Sequence, residues 1–256
     1  MRILVSNDDG FESQGLHLLV AAAQAIGSDV WVVAPERKWT AAGHQLSFDR
    51  DLTLTRRDDR VYACSGAPAD CVVAAMTVLF ADSVAPSLVL SGINDKRNVG
   101  EDVAYSGTMA IAREATFWGM PAIALSRSGR WPGEPHEMAA LRRLLTALWD
   151  THAEWAADGH WLNVGLPATL PATLRAARVG RDKIAGDAEV LAREPERIVY
   201  RLRRDRPCTT LPGDENDALN AGHVAIVRHC WHEQSALSQT LVERWNEAIG
   251  DDEATA

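Results

Sequence analysis

The feature that most limits what this chain can fold into is the regular exchange of short β-branched apolar runs with longer helix-like segments through its first half. Ile3-Leu4-Val5-Ser6 reads as a strand, residues 15–26 as a helix with Leu16, Leu19 and Ala23 on one face, and residues 29–34 as a second strand ended by Pro35. A short strand at Val61-Tyr62-Ala63 precedes Pro68, which suits a first helical turn and opens a helix over 69–80. Residues 87–91 form a buried strand, 102–118 a helix closed by Gly119 with Pro121 beyond it, and 122–126 another strand. Alternation of this kind requires a mostly parallel sheet covered by helices on both faces, which is the α/β class.

Beyond residue 128 the period weakens. Residues 129–135 hold Gly129, Gly133, Pro132, Pro135 and Trp131, read as an exposed side chain in a loop able to cover a site, before a helix over 137–155. A strand follows at 160–166, then a polar hairpin within 181–215 that includes Ile198-Val199-Tyr200, and a last strand at 223–228. Residues 235–249 read as an amphipathic helix with Leu237, Leu241 and Trp245 in one stripe, and residues 250–256 carry too little apolar content to order themselves. The expected division is a catalytic core over 1–180 and a hairpin-and-helix appendage over 181–256, an oligomerisation arm whose apolar stripe needs a partner.

Composition removes several function classes. A chain of 256 residues with 46% hydrophobic and 24% charged residues buries a core without staples. A net charge of -9 argues against a nucleic-acid polymer as partner. No apolar run approaches the roughly 18 residues of a membrane span, and the N-terminal run is too short for a secretory leader, so the expected location is cytoplasmic. Cys64, Cys71, Cys208 and Cys230 form no paired motif and read as reduced thiols.

Three polar clusters directly follow strands: Asn7-Asp8-Asp9-Gly10, Lys38-Trp39-Thr40 and Gly92-Ile93-Asn94. In an open parallel sheet the loops after the strand ends converge where the strand order reverses, so these residues share one crevice. Adjacent Asp8 and Asp9 repel unless a cation lies between them, and the Thr40 hydroxyl with the Asn94 amide completes an all-oxygen shell suited to one Mg²⁺ or Mn²⁺. Such an open, hard site favours phosphate. Ser106, Gly107 and Thr108 begin a helix whose free N–H groups can receive that phosphate beside Asn94. Taken singly, each cluster is equally a turn or a helix cap. Dinucleotide, P-loop, hydrolase-elbow and zincin motifs are absent. His229-Cys230-Trp231-His232 lacks a second cluster at zinc spacing and reads as strand-end packing.

Residues 3–10, Val33-Ala34-Pro35, residues 66–72, Ser91-Gly92-Ile93-Asn94 and Tyr105-Ser106-Gly107-Thr108 together closely resemble the SurE family, with weaker echoes at 162–164 and 217–222. The resemblance implies a Rossmann-like three-layer core and C-terminal elements exchanged between subunits in a homodimer or homotetramer. It also implies a metal-dependent phosphomonoesterase acting on nucleoside 5′- and 3′-monophosphates. Family ligands carry over onto Asp8, Asp9 and Asn94, and Thr40 stands where the family has serine. Lys96 replaces a glycine after Ser-Gly-Ile-Asn, where it either disturbs a turn that prefers positive φ or brings an ammonium to the phosphate. Ala67 replaces a threonine before Pro68, and Val227-Arg228-His229 replaces a usual Thr-Pro-Leu. The implied chemistry uses the cation to polarise phosphate and acidify water, with Asp8 and Asn94 as the catalytic pair. A covalent aspartyl-phosphate route lacks a second Asp, since position 10 is Gly. A weakened nucleotide- or phosphate-binding protein is the rival of a different class.

Overall fold

A computed structural model describes all residues except 130, 182–185, 204–208, 233–236 and 251–256. Cys208, the first residues of the expected C-terminal helix and the final tail lie outside the described residues. In chain order the elements are β1 (Arg2–Ser6), α1 (Gln14–Ala23), β2 (Asp29–Pro35), β3 (Leu54–Asp58), β4 (Val61–Cys64) and α2 (Pro68–Ala74), which runs on into a π-turn at Ala75–Leu79. There follow β5 (Leu88–Asn94), α3 (Asp102–Tyr105), α4 (Gly107–Phe117), β6 (Ala122–Arg127), α5 (Pro135–Asp150) and α6 (His152–Trp155). The last group is β7 (His160–Leu166), β8 (Leu174–Ala176), β9 (Ala188–Arg193), β10 (Ile198–Leu202), α7 (Glu215–Asn220), β11 (Val224–Cys230) and α8 (Gln239–Gly250).

The main sheet has the order β3-β4-β2-β1-β5-β6-β7-β11-β8, and β10 pairs with β9 in a separate hairpin. Strands β4, β2, β1, β5, β6 and β7 are parallel, while β3 and β11 run antiparallel to β4 and β7. Alternation along each strand sorts the core into two layers. Ile3, Val5, Leu88, Leu90, Ile123 and Leu125 face α1 and α5, whereas Leu4, Val89, Ala122 and Ala124 face α2 and α4. The small alanines of β6 let α4 lie close to the sheet. The α/β three-layer expectation therefore holds.

Several boundaries differ for physical reasons. The helix expected over 102–118 breaks at Ser106, whose extended backbone (ψ 129°) and hydroxyl, accepting from Met109 N at 3.2 Å, start α4 afresh. Strand β3 escapes sequence reading because Arg56 and Arg57 give it the charge of an edge strand. Trp131 is not exposed: it is 5% accessible, lies under the Arg127 guanidinium at 4.4 Å and donates through Nε1 to Glu137. Although it falls within 181–256, β11 returns to pair with β7 in the main sheet, so the part projecting from the core is the β9–β10 hairpin.

Candidate active site

The strand order reverses between β2 and β5 on the two sides of β1, and the loops after these three strands meet there. Trp39 N donates to the Asp8 carbonyl at 2.7 Å, which ties the loop after β2 to the turn after β1. That turn is held by Asn7, whose amide donates to Gly10 O (3.0 Å) and to Ser13 Oγ (2.6 Å), with Gly10 at a φ of 99° that favours glycine. From the β5 side, Asp95 N donates to Asp9 Oδ2 at 3.2 Å. Three segments distant in sequence are thus hydrogen-bonded around one hollow.

That hollow is a cavity of about 180 Å³ with Asp8, Asp9, Thr40, Asn94 and Ser106 in its wall, so five of the expected residues share one lining. Gly107 and Thr108 sit behind it. A Cβ on Gly107 would lie 2.7 Å from the Asp8 Cβ and 2.8 Å from Pro68 Cγ, so glycine is what lets the start of α4 reach Asp8. Thr108 is fully buried and its hydroxyl donates to Asp8 Oδ1 at 2.6 Å. Its side chain is engaged with the carboxylate rather than turned to the cavity.

Burial pushes the Asp8 carboxyl up to about 6 from its ordinary 3.8; the Thr108 bond pulls it back and the Asp9 charge adds to the rise. Asn94 donates through Nδ2 to Lys96 O (2.7 Å) and Asn98 Oδ1 (3.2 Å), which leaves its amide oxygen as the atom suited to a cation. Lys38, unassigned by sequence reading, bridges Asp9 and Asp95, with its Nζ 2.8 Å from Asp95 Oδ2. Partial burial lowers its pKa, but its bonds to the two carboxylates outweigh that and the net shift is upward. The site therefore draws positive charge, and its donors, two carboxylates, an amide oxygen and a hydroxyl, fit one hard divalent cation.

Lys96 does not have positive φ, so the loop after β5 needs no glycine there. Positive φ falls instead on Ala41, at 53°, next to Thr40. At position 67 the missing hydroxyl is offset by Asp70, which accepts from Ala67 N at 2.7 Å and Ser47 N at 3.0 Å. A second cavity of about 640 Å³ adjoins the first, sharing Asp9, Lys38, Asn94, Asp95 and Lys96 and adding Gln14, Leu18, Ile93, Arg127 and Trp131. Arg127, 1% accessible and 3.0 Å from Glu137, fastens the wall to which Gly129 and Trp131 contribute. Sequence reading missed Lys38, Asp95 and Arg127; only the position of the Lys38 cluster after β2 pointed to any of them.

Comparison with known proteins places the whole chain in a family. The family described as Survival protein SurE matches residues 3–186. The 5′-nucleotidase SurE of Paramagnetospirillum magneticum is 36% identical over 246 residues, 90% of each chain. That of Brucella suis is 38% identical over 201 residues, 74% of this chain and 75% of the relative. The crystal structure of the SurE protein from Aquifex aeolicus superposes with a TM-score of 0.75 at 28% identity, covering 98% of this chain and all of that one. On the profile match and on these identities, the chain belongs to the SurE family.

Proposed function

We propose that the protein is a divalent-metal-dependent phosphomonoesterase that hydrolyses nucleoside 5′- and 3′-monophosphates to nucleoside and phosphate. The observation that carries this reading is the convergence of Asp8, Asp9, Thr40, Asn94 and Ser106 on one small cavity continuous with a larger one. The small cavity has the size and charge for a cation and a phosphoryl group, and the larger, partly apolar one has room for a nucleoside. Relatives named 5′-nucleotidase support the same substrate class.

Asp8, Asp9, Asn94 and Thr40 would hold the cation. When bound, Mn²⁺ or Mg²⁺ supplies charge neutralisation at the phosphoryl oxygens and a hydroxide nucleophile near neutral pH. The chain does the rest. The Ser106 hydroxyl fixes the start of α4 by accepting from Met109 N, and the backbone N–H groups of Gly107 and Thr108 at that helix start would serve as donors to a phosphoryl group. Thr108 holds the Asp8 carboxylate in one orientation. Lys38, Lys96 and Arg97 supply positive charge to the small cavity, and Arg127 with Trp131 lines the nucleoside side.

One observation favours a second reading. The Lys38 ammonium already neutralises Asp9, so it competes with a cation and would suit a protein that binds nucleotide with little turnover. Phosphate release from 5′- and 3′-monophosphates, a nucleoside diphosphate and a phosphodiester, each with Mn²⁺, Mg²⁺ or EDTA, separates the two. The phosphomonoesterase releases phosphate from the monophosphates alone and stops with EDTA. Calorimetric binding of the monophosphates without release would establish the binding protein. We also place the protein in the cytoplasm, as a homo-oligomer joined through the arm. Among the described residues no helix is long and apolar enough to cross a membrane.

A further inference from the structure

Strand β7 begins at His160 and β11 ends at Cys230, and antiparallel pairing sets these two residues opposite each other. Two residues further on, His232 turns back over the same corner, with Trp231 N donating to Gly159 O at 3.2 Å. One ring nitrogen from His160, one from His232 and the Cys230 sulfur all lie within 4.8 Å of one another. We propose that these three side chains form a second metal site, for a borderline-soft dication of the zinc class.

The donor set sets the metal. A thiolate with two imidazoles matches zinc and its transition-metal neighbours and offers nothing to Mg²⁺ or Mn²⁺, the reverse of the all-oxygen cavity around Asp8. Bond lengths of about 2.0–2.3 Å bring tetrahedral ligand atoms roughly 3.3–3.6 Å apart, so metal binding draws the three atoms together from spacings of up to 4.8 Å. The corner is already shaped for it. The Asp158 carbonyl accepts from Nδ1 of His160 at 2.7 Å and from Nε2 of His232 at 3.1 Å, so one backbone oxygen anchors both rings. The rings stand perpendicular, with centroids 5.9 Å apart. A Cβ at position 159 would lie 2.4 Å from Cδ2 of His232, so glycine there makes the room that the His232 ring occupies. Cys230 and His160 are half-buried and His232 is exposed, so an ion can enter from solvent. Binding displaces the thiol proton to solvent, leaving the thiolate on the metal.

The site lies where β7 starts, whereas the phosphate cavity lies beyond the ends of β1, β2 and β5, so it occupies the opposite edge of the sheet. A metal there clips β11 to β7 at the point where the chain leaves for α8. Zinc spacing was invisible in the sequence because the third ligand arrives through strand pairing, 70 positions upstream of Cys230.

The test uses the full chain stripped with EDTA and titrated with Co²⁺, whose near-ultraviolet thiolate-to-cobalt band reports sulfur ligation and is silent for the oxygen site. The expected result is a saturable band from one equivalent, displaced by Zn²⁺ but not Mg²⁺. Cys230→Ser abolishes it, and His232→Ala weakens Co²⁺ binding about tenfold or more. Zn²⁺ raises the melting temperature of the wild type and not of Cys230→Ser, while Mn²⁺-supported phosphate release is unchanged in both variants. A cobalt spectrum without the band, or one that Cys230→Ser leaves intact, overturns the proposal. Should Cys230→Ser fail to fold, His232→Ala, altered at the surface, decides by whether the band weakens. None of these spectra depends on nucleotide hydrolysis, so this site and the phosphomonoesterase reading fail or stand separately.

Discussion

Without a cation in the site, burial raises the Asp8 carboxyl towards neutral pH, and the Thr108 hydroxyl restrains that rise. The rise to about 6 comes first from burial, and the 2.6 Å bond from Thr108 opposes it. Thr108→Val preserves volume but removes the donor, which costs about 1.5–3 kcal/mol when the acceptor is charged. In the metal-free protein the Asp8 pKa then moves further up, so the pH profile of Mn²⁺ affinity shifts to higher pH, with a larger loss at pH 6 than at pH 8. A profile that stays in place would show that the contact does not govern Asp8. Glu215 offers a pH test of the scaffold. Burial raises its pKa above the ordinary 4.5, and the N–H bonds from Gly180 and Gly100 only partly offset this. The folded state therefore holds its proton more tightly than the unfolded chain, and stability falls as pH rises from 4.5 through the raised value. Glu215→Gln should flatten that fall, as chemical denaturation between pH 4.5 and 7 would show. Sequence reading brought Asp8, Asp9 and Asn94 to one crevice because Asp8 and Asp9 lie just past β1 and Asn94 ends β5. Lys38 as their counter-ion was not, since its partners Asp9 and Asp95 come from two other loops.

At the scale of elements, the strands and helices that carry the site were readable from period alone, and their ends were not. The break at Ser106 is the instructive case. An apolar period runs unbroken across it, yet the capping hydroxyl and Gly107 create a new helix N-terminus against Asp8. Gly107→Ala forces α4 and the β1 turn apart, and overpacking of this kind costs about 1–3 kcal/mol. The expected result is a lower melting temperature with a disproportionate fall in kcat/KM. Loss of stability alone, at full activity, would show that the approach of α4 does not shape the site. Trp131 was misread for a related reason: a loop rich in Gly and Pro suggests exposure, but the buried Arg127–Glu137 pair draws the indole inward. Strand β3, with Leu54 its one apolar residue and Arg56, Arg57 and Asp58 charged, gave too short an apolar signal to find.

For the whole molecule, the sequence conveyed the layered core and a C-terminal hairpin, but not that β11 rejoins the main sheet, because pairing across 60 or more positions leaves no local trace. The arm carries an unusual surface. Val190, Leu191, Ile198, Tyr200 and Leu202 of the β9–β10 hairpin are all exposed, as are Leu237 and Trp245 near and on α8. A second copy of the chain is the partner that the family resemblance implies. In the proposed homo-oligomer, Tyr200→Asp with Leu202→Asp should give a folded monomer in light scattering; a wild type and variant of the same mass would remove the hairpin from that proposal. The loops after β1, β2 and β5 are proposed to build a cation-dependent phosphate site around Asp8. This proposal is tested most directly by titrating Mn²⁺ into wild type and Asp8→Asn while phosphate release from a nucleoside 5′-monophosphate is followed. The account predicts saturable activation of the wild type, and in the folded variant weaker Mn²⁺ binding together with loss of most of the rate. Equal Mn²⁺ affinity and normal turnover in Asp8→Asn would contradict it.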